Sequence, residues 1–414
     1  VWLLALVVKK FGGSSVATTD KIINVAKRVL KDKRPEDKVV VVVSAMGDTT
    51  DNLISLAQGI DDQPYQSEYI REMDMLLTTG EQVSIALLAM AFQKLGQPAV
   101  SLTGAQIGMR TSSVHTKGRI LSIDPARVLD ELERGKIVVA AGFQGVDKLG
   151  DPVTLGRGGS DTSAVAIAGA LKADTCEIFT DVDGIYSADP RIVKNARKMK
   201  EITYHEMLEM ARLGAGVMQP RSVEVGQFFN IPIHVRSTFT DTAGTIIRED
   251  YTMEEKGFEI RGVAHDEKVA KFAILGVPNH PGVAHKVFSA LSDANIDVDM
   301  IVQSIRTFDQ NITDIVFTVE QNYVIEAKRV IDNAATELGA LGVTVEADVA
   351  KVSIVGAGML GAPGVAARMF GALAKEKVNI DIISTSEISI SCLIKGEQLR
   401  TAVNAIHGEF FPDN

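Results

Sequence analysis

The chain has 414 residues, 46% hydrophobic and 23% charged, with a formal net charge of -10. One compact core usually holds roughly 100–200 residues, so two or three domains are expected. This apolar content excludes a disordered chain, and the negative balance argues against a nucleic-acid partner, because neutralising phosphates needs a basic surface.

Only two cysteines occur, Cys176 and Cys392, far apart in apolar strand-like surroundings, so no disulfide framework or CxxC site is expected and the cytosol is the expected compartment. The opening VWLLALVV is followed by Lys9 and Lys10. It is too short to span a bilayer and lacks the layout of a signal peptide, so it reads as a buried first strand with no membrane role.

Up to about residue 250, short β-branched runs alternate with helix-length segments: LLALVVK, KVVVVVS, QPAVSLT, KIVVAAG, TCEIFT and IPIHVR. This alternation predicts a mostly parallel sheet covered by helices on both faces. The polar REDYTMEEKG marks a domain boundary. Beyond it, VAKFAILGVPNHPGVAHKVFSALSDANIDVDMIVQSI resembles VAKVSIVGAGMLGAPGVAARMFGALAKEKVNIDIISTSEI, pairing Pro281 with Pro363, Phe288 with Phe370, Asp299 with Asp381 and Ser304 with Ser386. Two copies of one α+β unit are therefore expected. The first copy closes with VTVEA at 343–347, whereas the second lacks a last strand, which GFEIRGVA at 257–264 is placed to supply. The resulting division is 1–250, then 265–347, then 257–264 plus 348–414.

Three clusters in the first part carry chemistry. Lys10-Phe11-Gly12-Gly13-Ser14-Ser15 follows the first strand and precedes a helix beginning near Thr19. Glycines there let main-chain N–H groups approach an anion at a helix N-terminus, and Lys10 adds a full charge. In LGRGGSDTSAVAIAGAL, Gly158, Gly159 and Ser160 form a second tight turn flanked by Arg157 and Asp161. The third, TDVDGIYSADPR at 180–191, closes a strand with three carboxylates in a polar loop, a pattern that Asx turns alone also produce.

Together with VVVSAMGDTTDNL, MLLTTGEQVS and AGFQG, these clusters resemble the aspartate kinases of the amino-acid kinase family, followed by paired ACT-type repeats. The resemblance implies an α/β fold, a three-layer αβα sandwich followed by two α+β ACT-like (βαββαβ) domains. It implies ATP over the C-terminal edge of the parallel sheet, held by Lys10, Phe11, Gly12, Gly13 and Ser14 and bordered by Thr180, Asp181, Tyr186, Asp189 and Arg191. Glu81 is implied as partner of the aspartate ammonium and Arg157 as clamp on its α-carboxylate, with Ser44, Thr50, Gly158, Gly159 and Ser160 completing the pocket. The acceptor carboxylate, with a pKa of ~4, is already an anion, so no general base is needed. Lys10, Mg²⁺ and turn N–H groups would cancel the charge of the transferring phosphoryl group, with Asp161 orienting Lys10.

One position departs from the family: many relatives carry a lysine where this chain has Gly216, a charge that Arg191 or Arg221 is placed to replace. Two other readings compete with this one. Gly356, Gly358 and Gly361 spell a dinucleotide-binding GxGxxG, but fewer than 60 residues follow Gly356, too few for such a domain. A non-catalytic amino-acid sensor has only Gly216 in its favour.

Each repeat carries a glycine-proline turn before its helix, Asn279 to Gly282 and Gly361 to Gly364, followed by Asp297, Val298, Asp299 and Gln303 or Asn379, Ile380 and Asp381. A helix N-terminus suits an α-carboxylate, and the neighbouring polar groups suit an ammonium. The expectation is feedback by lysine or threonine where two repeats meet, in a homo-oligomer paired through the ACT-like domains. By resemblance, a smaller subunit starting at Met253 is also expected.

Overall fold

The structure is a computed structural model that describes residues 5–66, 68–249, 260–304, 311–359 and 362–412. Met253, Gly361 and residues 257–259 lie outside the described residues. Two compact units result. The first draws on Val1–Ile185, Lys198–Ala211 and Gly216–Met253; the second draws on Tyr186–Arg197, Arg212–Ala215 and Glu254–Asn414.

In the first unit the elements run β1 (Leu6–Phe11), α1 (Thr19–Asp32), β2 (Lys38–Val43), α2 (Thr49–Gln58), α3 (Ile70–Leu77), α4 (Thr79–Lys94) and β3 (Ala99–Leu102). They continue as β4 (Met109–Thr111), β5 (Ile120–Ile123), α5 (Ala126–Glu133), β6 (Ile137–Ala141), β7 (Gln144–Val146), β8 (Pro152–Thr154), α6 (Gly159–Leu171) and β9 (Thr175–Thr180). The last are β10 (Glu201–Ile202), α7 (Tyr204–Arg212), α8 (Pro220–Phe229), β11 (Ile233–Ser237) and β12 (Thr245–Ile247).

An eight-stranded sheet has the order β10-β12-β11-β9-β1-β2-β6-β3, parallel except between β11 and β12. Val39 to Val43 are buried throughout, as a parallel strand covered on both faces requires. Alternation along β1 sends Phe11 to the face where α1 and α4 pack, among Val25, Val41, Leu88 and Phe92. Lys10 points to the other face, where α6 lies against β1 and β9. Helix α1 is capped by Thr18, whose hydroxyl accepts from the Lys21 N–H, and it buries Ile22, Val25, Ala26 and Val29 at helical spacing.

The helical stretch Ile70–Lys94 is long and apolar enough by composition to cross a membrane. Here it is a core element: α4 buries Ile85, Leu88, Ala89 and Phe92 and packs on β3 and β6. A smaller sheet, β5-β4-β7-β8, completes this unit.

The second unit contains β13 (Gly262–Pro278), α9 (Val283–Asp293), β14 (Ile301–Gln303), β15 (Ile312–Glu320), α10 (Val324–Leu338) and β16 (Gly342–Val355). After these come α11 (Val365–Lys375), β17 (Ile382–Thr385), β18 (Ser389–Lys395) and α12 (Leu399–Phe410). They form one six-stranded sheet, β14-β15-β13-β16-β18-β17. Strand β16 closes the first repeat and opens the second without a break. The start of β13 pairs Gly262 with Val355 and Asp266 with Lys351, beside the second repeat; beyond a register shift, its remainder belongs to the first. Both repeats place a left-handed glycine before their first helix, Gly282 at φ 98° and Gly364 at φ 99°.

Strand β16, which leads into Gly356, is antiparallel to both neighbours, so Gly356 and Gly358 do not open a parallel βαβ unit. By packing, Tyr186–Arg197 belongs to this unit: Ala188 and Val193 sit in one apolar cluster with Val352, Ile394 and Ile406, and Ser187 Oγ lies 2.9 Å from His407 Nε2.

Val269 pairs with its repeat equivalent Val349, so a pseudo-twofold axis passes between them. Around it the repeats exchange ion pairs. Lys271 reaches Asp381 at 2.7 Å, and its equivalent Lys351 reaches Asp299. Lys351 is only 2% exposed, so removing its partner strands a buried ammonium, whereas removing the lysine does not. Asp299→Asn is therefore expected to cost roughly 1–3 kcal/mol and to lower the thermal midpoint of the full chain more than Lys351→Met does. Equal or reversed losses in parallel melting curves would show that the pair is not what holds the repeats in register.

Candidate functional site

The ends of β1, β2 and β6 meet the first turns of α4 and α6 at the C-terminal edge of the parallel sheet, where α/β folds place their ligands. Lys10 Nζ stands 2.5 Å from Asp161 Oδ1, with both side chains largely buried. Asp161 lies in the first turn of α6, so the pair ties the end of β1 to that helix. Behind Lys10 the chain turns at Gly13. A Cβ there would stand 2.9 Å from the Ala45 carbonyl and 3.3 Å from that of Gly47, so a side chain would push the turn off the β2–α2 loop. Ser44 N–H donates to the Phe11 carbonyl at 3.2 Å and Gly47 N–H to that of Gly13 at 3.1 Å.

Ala45 also joins this turn to Glu81. Its N–H donates to Glu81 Oε1 at 2.9 Å, while Oε2 is buried and has no hydrogen-bond partner among the described residues. Glu81 is 2% exposed. Burial pushes its carboxyl up to about 7, opposed only by main-chain N–H donors. A buried carboxyl with one bonded and one unpartnered oxygen has the chemistry to accept a hydrogen bond from a small cation.

Opposite it, α6 starts from Gly158, whose φ of 68° is left-handed and whose missing Cβ leaves room for Gln219: an added Cβ would stand 2.0 Å from Gln219 Cγ. Arg157, just before it, is exposed and has no partner among the described residues. Ser160 packs against Gly142 at the end of β6, and Ser163 Oγ receives the Phe143 N–H at 2.9 Å. The positive end of α6 thus faces the same edge as Lys10.

Of the remaining residues singled out in the sequence, Thr180 ends β9 and Asp181 follows it, with Thr180 Oγ1 3.0 Å from Asp181 Oδ1. Thr50 lies in the first turn of α2. Gly12 caps the short turn Gly13–Ser15 that contains Ser14. The Phe11 side chain is fully buried and stacks on Phe179 at 4.5 Å, leaving only its main chain to the turn. Tyr186, Asp189 and Arg191 belong to the second unit, where Arg191 pairs with Asp189 at 2.7 Å.

Asn279, Gly282, Asp297, Val298 and Gln303 lie in the first repeat, with Gln303 on the edge strand β14. Asn379 and Ile380 precede β17, the opposite edge. Although these strands are the two edges in strand order, Val302 beside Gln303 and Asp381 beside Ile380 line one cavity with Lys271 and Glu346, and Met300 and Ile382 share one buried cluster.

Sequence patterns gave no sign of several supports. Buried Asp74 in α3 accepts from Thr116 N–H at 3.0 Å and Thr154 Oγ1 at 2.6 Å, and lies 2.8 Å from His115 Nδ1, fixing β8 just before Arg157. Ala45 and Gln219 act through their main chain and bulk. Such roles come from contacts between distant segments and leave no local signature.

The family model described as "Amino acid kinase family" matches residues 5–237, and the "ACT domain" model matches 273–334 and 352–410. The chain is 50% identical over 412 residues to an aspartate kinase of Pseudomonas fluorescens (strain SBW25), covering 98% of each. It resembles E. coli aspartokinase III in complex with aspartate and ADP (R-state) with 27% identity and a TM-score of 0.78, covering 98% of this chain and 100% of that one. The same enzyme in complex with lysine and aspartate (T-state) gives 27% identity and a TM-score of 0.76, covering 98% and 99%. On this identity, coverage and fold, the chain belongs to the aspartate kinases of the amino acid kinase family and carries two ACT domains.

Proposed function

We infer that the chain transfers the γ-phosphoryl group of ATP to the β-carboxylate of L-aspartate and is controlled by an end-product amino acid. The observation that carries this reading is Glu81, a buried carboxylate with one unpartnered oxygen, joined through Ala45 to the glycine turn that bears Lys10. In this reading Glu81 takes the aspartate ammonium and Arg157 grips the α-carboxylate at two points. Ser44, Thr50 and the Gly158–Gly159–Ser160 turn complete that pocket.

The β-carboxylate then points at the γ-phosphorus, attacks as the anion it already is, and ADP leaves. Lys10 and the N–H groups of its turn oppose the charge of the phosphates, and Asp161 keeps Lys10 directed. Thr180 and Asp181, at the end of β9, are assigned to the border of the nucleotide. Mg²⁺ commonly binds through one or two carboxylates plus substrate phosphates, and exposed Asp181 at the end of β9 fits that donor set. Bound there, Mg²⁺ would neutralise phosphate charge during transfer.

Asn279, Gly282, Asp297, Val298, Gln303, Asn379 and Ile380 are assigned to an effector, lysine or threonine. The effector is assigned to the place where two repeats meet, in a homo-oligomer paired through the ACT domains.

Two measurements test the substrate pocket. Arg157→Lys keeps the charge but loses the planar fork, so kcat/KM for aspartate should fall about 100-fold or more while the KM for ATP stays nearly constant. An unchanged kcat/KM for aspartate would remove Arg157 from the site.

The second uses pH. Because the carboxyl of folded Glu81 is raised to about 7, the free enzyme loses the anion that holds the ammonium as pH falls through that value. kcat/KM for aspartate should drop about tenfold per unit below pH ~7, and Glu81→Gln should remove this limb while lowering the plateau. The same shift makes stability fall as pH rises from the unfolded carboxyl value towards 7, because the folded chain retains a proton that the unfolded chain has released. A pH profile of Glu81→Gln identical to that of the parent would refute the assignment.

A further inference from the structure

Arg221, in the first turn of α8, is partly buried and forms no ion pair among the described residues. Its guanidinium is spent on main chain: Nη1 donates to the Leu155 carbonyl at 2.8 Å and Nη2 to the Gly118 carbonyl at 2.7 Å. Both carbonyls stand at the N-terminal foot of the loop that presents Arg157, Gly118 lying beside Val153 and Thr154 of β8. Leu155 N–H donates to the Phe143 carbonyl at 2.8 Å, and Gly118 N–H to that of Thr154 at 2.9 Å. Gly118 fits flat on β8, where a Cβ would stand 2.6 Å from Val153 Cγ1.

The same helix end supplies Gln219, which fills the space left by Gly158 on the far side of Arg157. Arg157 is thus exposed at the crest of a turn held on one side by Arg221 and on the other by Gln219. Burial and the nearby charge of Arg119 lower the pKa of Arg221, so the guanidinium bears a desolvation cost that an ordinary surface arginine does not. With both Nη groups occupied, Arg221 is poorly placed to stand in for the phosphate-binding lysine replaced by Gly216.

We propose that Arg221 is a positioning residue for aspartate, fixing the Leu155–Gly158 turn so that the Arg157 fork meets the α-carboxylate. The inference rests on the assignment of Arg157 as the clamp. A lysine can satisfy one of the two carbonyls but not both, so Arg221→Lys and Arg221→Gln each let the turn drift while leaving the nucleotide side untouched.

The test is steady-state kinetics on the full chain for Arg221→Lys, Arg221→Gln, Arg157→Ala and the double variant Arg157→Ala/Arg221→Gln. Each single Arg221 variant should raise the KM for aspartate about tenfold or more, with the KM for ATP unchanged. In the Arg157→Ala background, Arg221→Gln should add less than about twofold, because both act through one contact. A Michaelis constant does not depend on the fraction of folded enzyme, so partial unfolding of a variant does not obscure the result. An unchanged KM for aspartate, a raised KM for ATP, or full additivity in the double variant overturns the proposal. If Arg157→Ala alone leaves the KM for aspartate unchanged, the clamp assignment has failed, an outcome distinct from the failure of Arg221 as its support.

Discussion

The ion pair between Lys10 and Asp161 joins the end of the central strand β1 to the first turn of α6, and the rest of the site is arranged around it. A mostly buried ammonium needs a partner, since an isolated charge out of water is costly. Asp161 satisfies that need without holding the lysine far from the sheet edge. A carboxylate at the N-terminus of a helix is itself stabilised there. The consequence is a fixed positive charge at the point where a parallel sheet and two helix N-termini converge, a place suited to phosphates.

Strand alternation does the remaining work of separation. Lys10 and Phe11 are neighbours in sequence yet leave β1 on opposite faces, one towards Asp161 and one into the core against Phe179. That division was legible in principle from a period of two. The parallel character of the sheet was legible too, because Val39 to Val43 have no polar face to offer solvent. The Lys10–Asp161 pair was not legible from spacing, since about a third of the chain separates the two residues and only family resemblance linked them. Arg221 was still less so: its charge drew attention as a spare cation, but its two carbonyl partners come from Gly118 and Leu155, and no sequence pattern encodes a main-chain acceptor.

In the second unit the internal repeat was visible in paired prolines, phenylalanines and aspartates. The way the copies join was harder to read. A single strand, β16, serves both repeats, and β13 changes partner region across a register shift, so a boundary drawn between residues falls inside continuous structure. The crossed pairs Lys271 with Asp381 and Lys351 with Asp299 follow from the pseudo-twofold relation, in which equivalent residues exchange partners between copies. Such an arrangement couples the two repeats, so a ligand that shifts one of them acts on ion pairs shared with the other.

The most direct test of the account is to incubate the full chain with ATP, Mg²⁺ and L-aspartate and to trap the product with hydroxylamine. An acyl phosphate on the side-chain carboxylate gives aspartyl hydroxamate, which should form with ADP in equal amounts, depend on aspartate, and be lost in Lys10→Ala. ADP release that does not depend on aspartate, or no hydroxamate from a folded chain, would contradict the account.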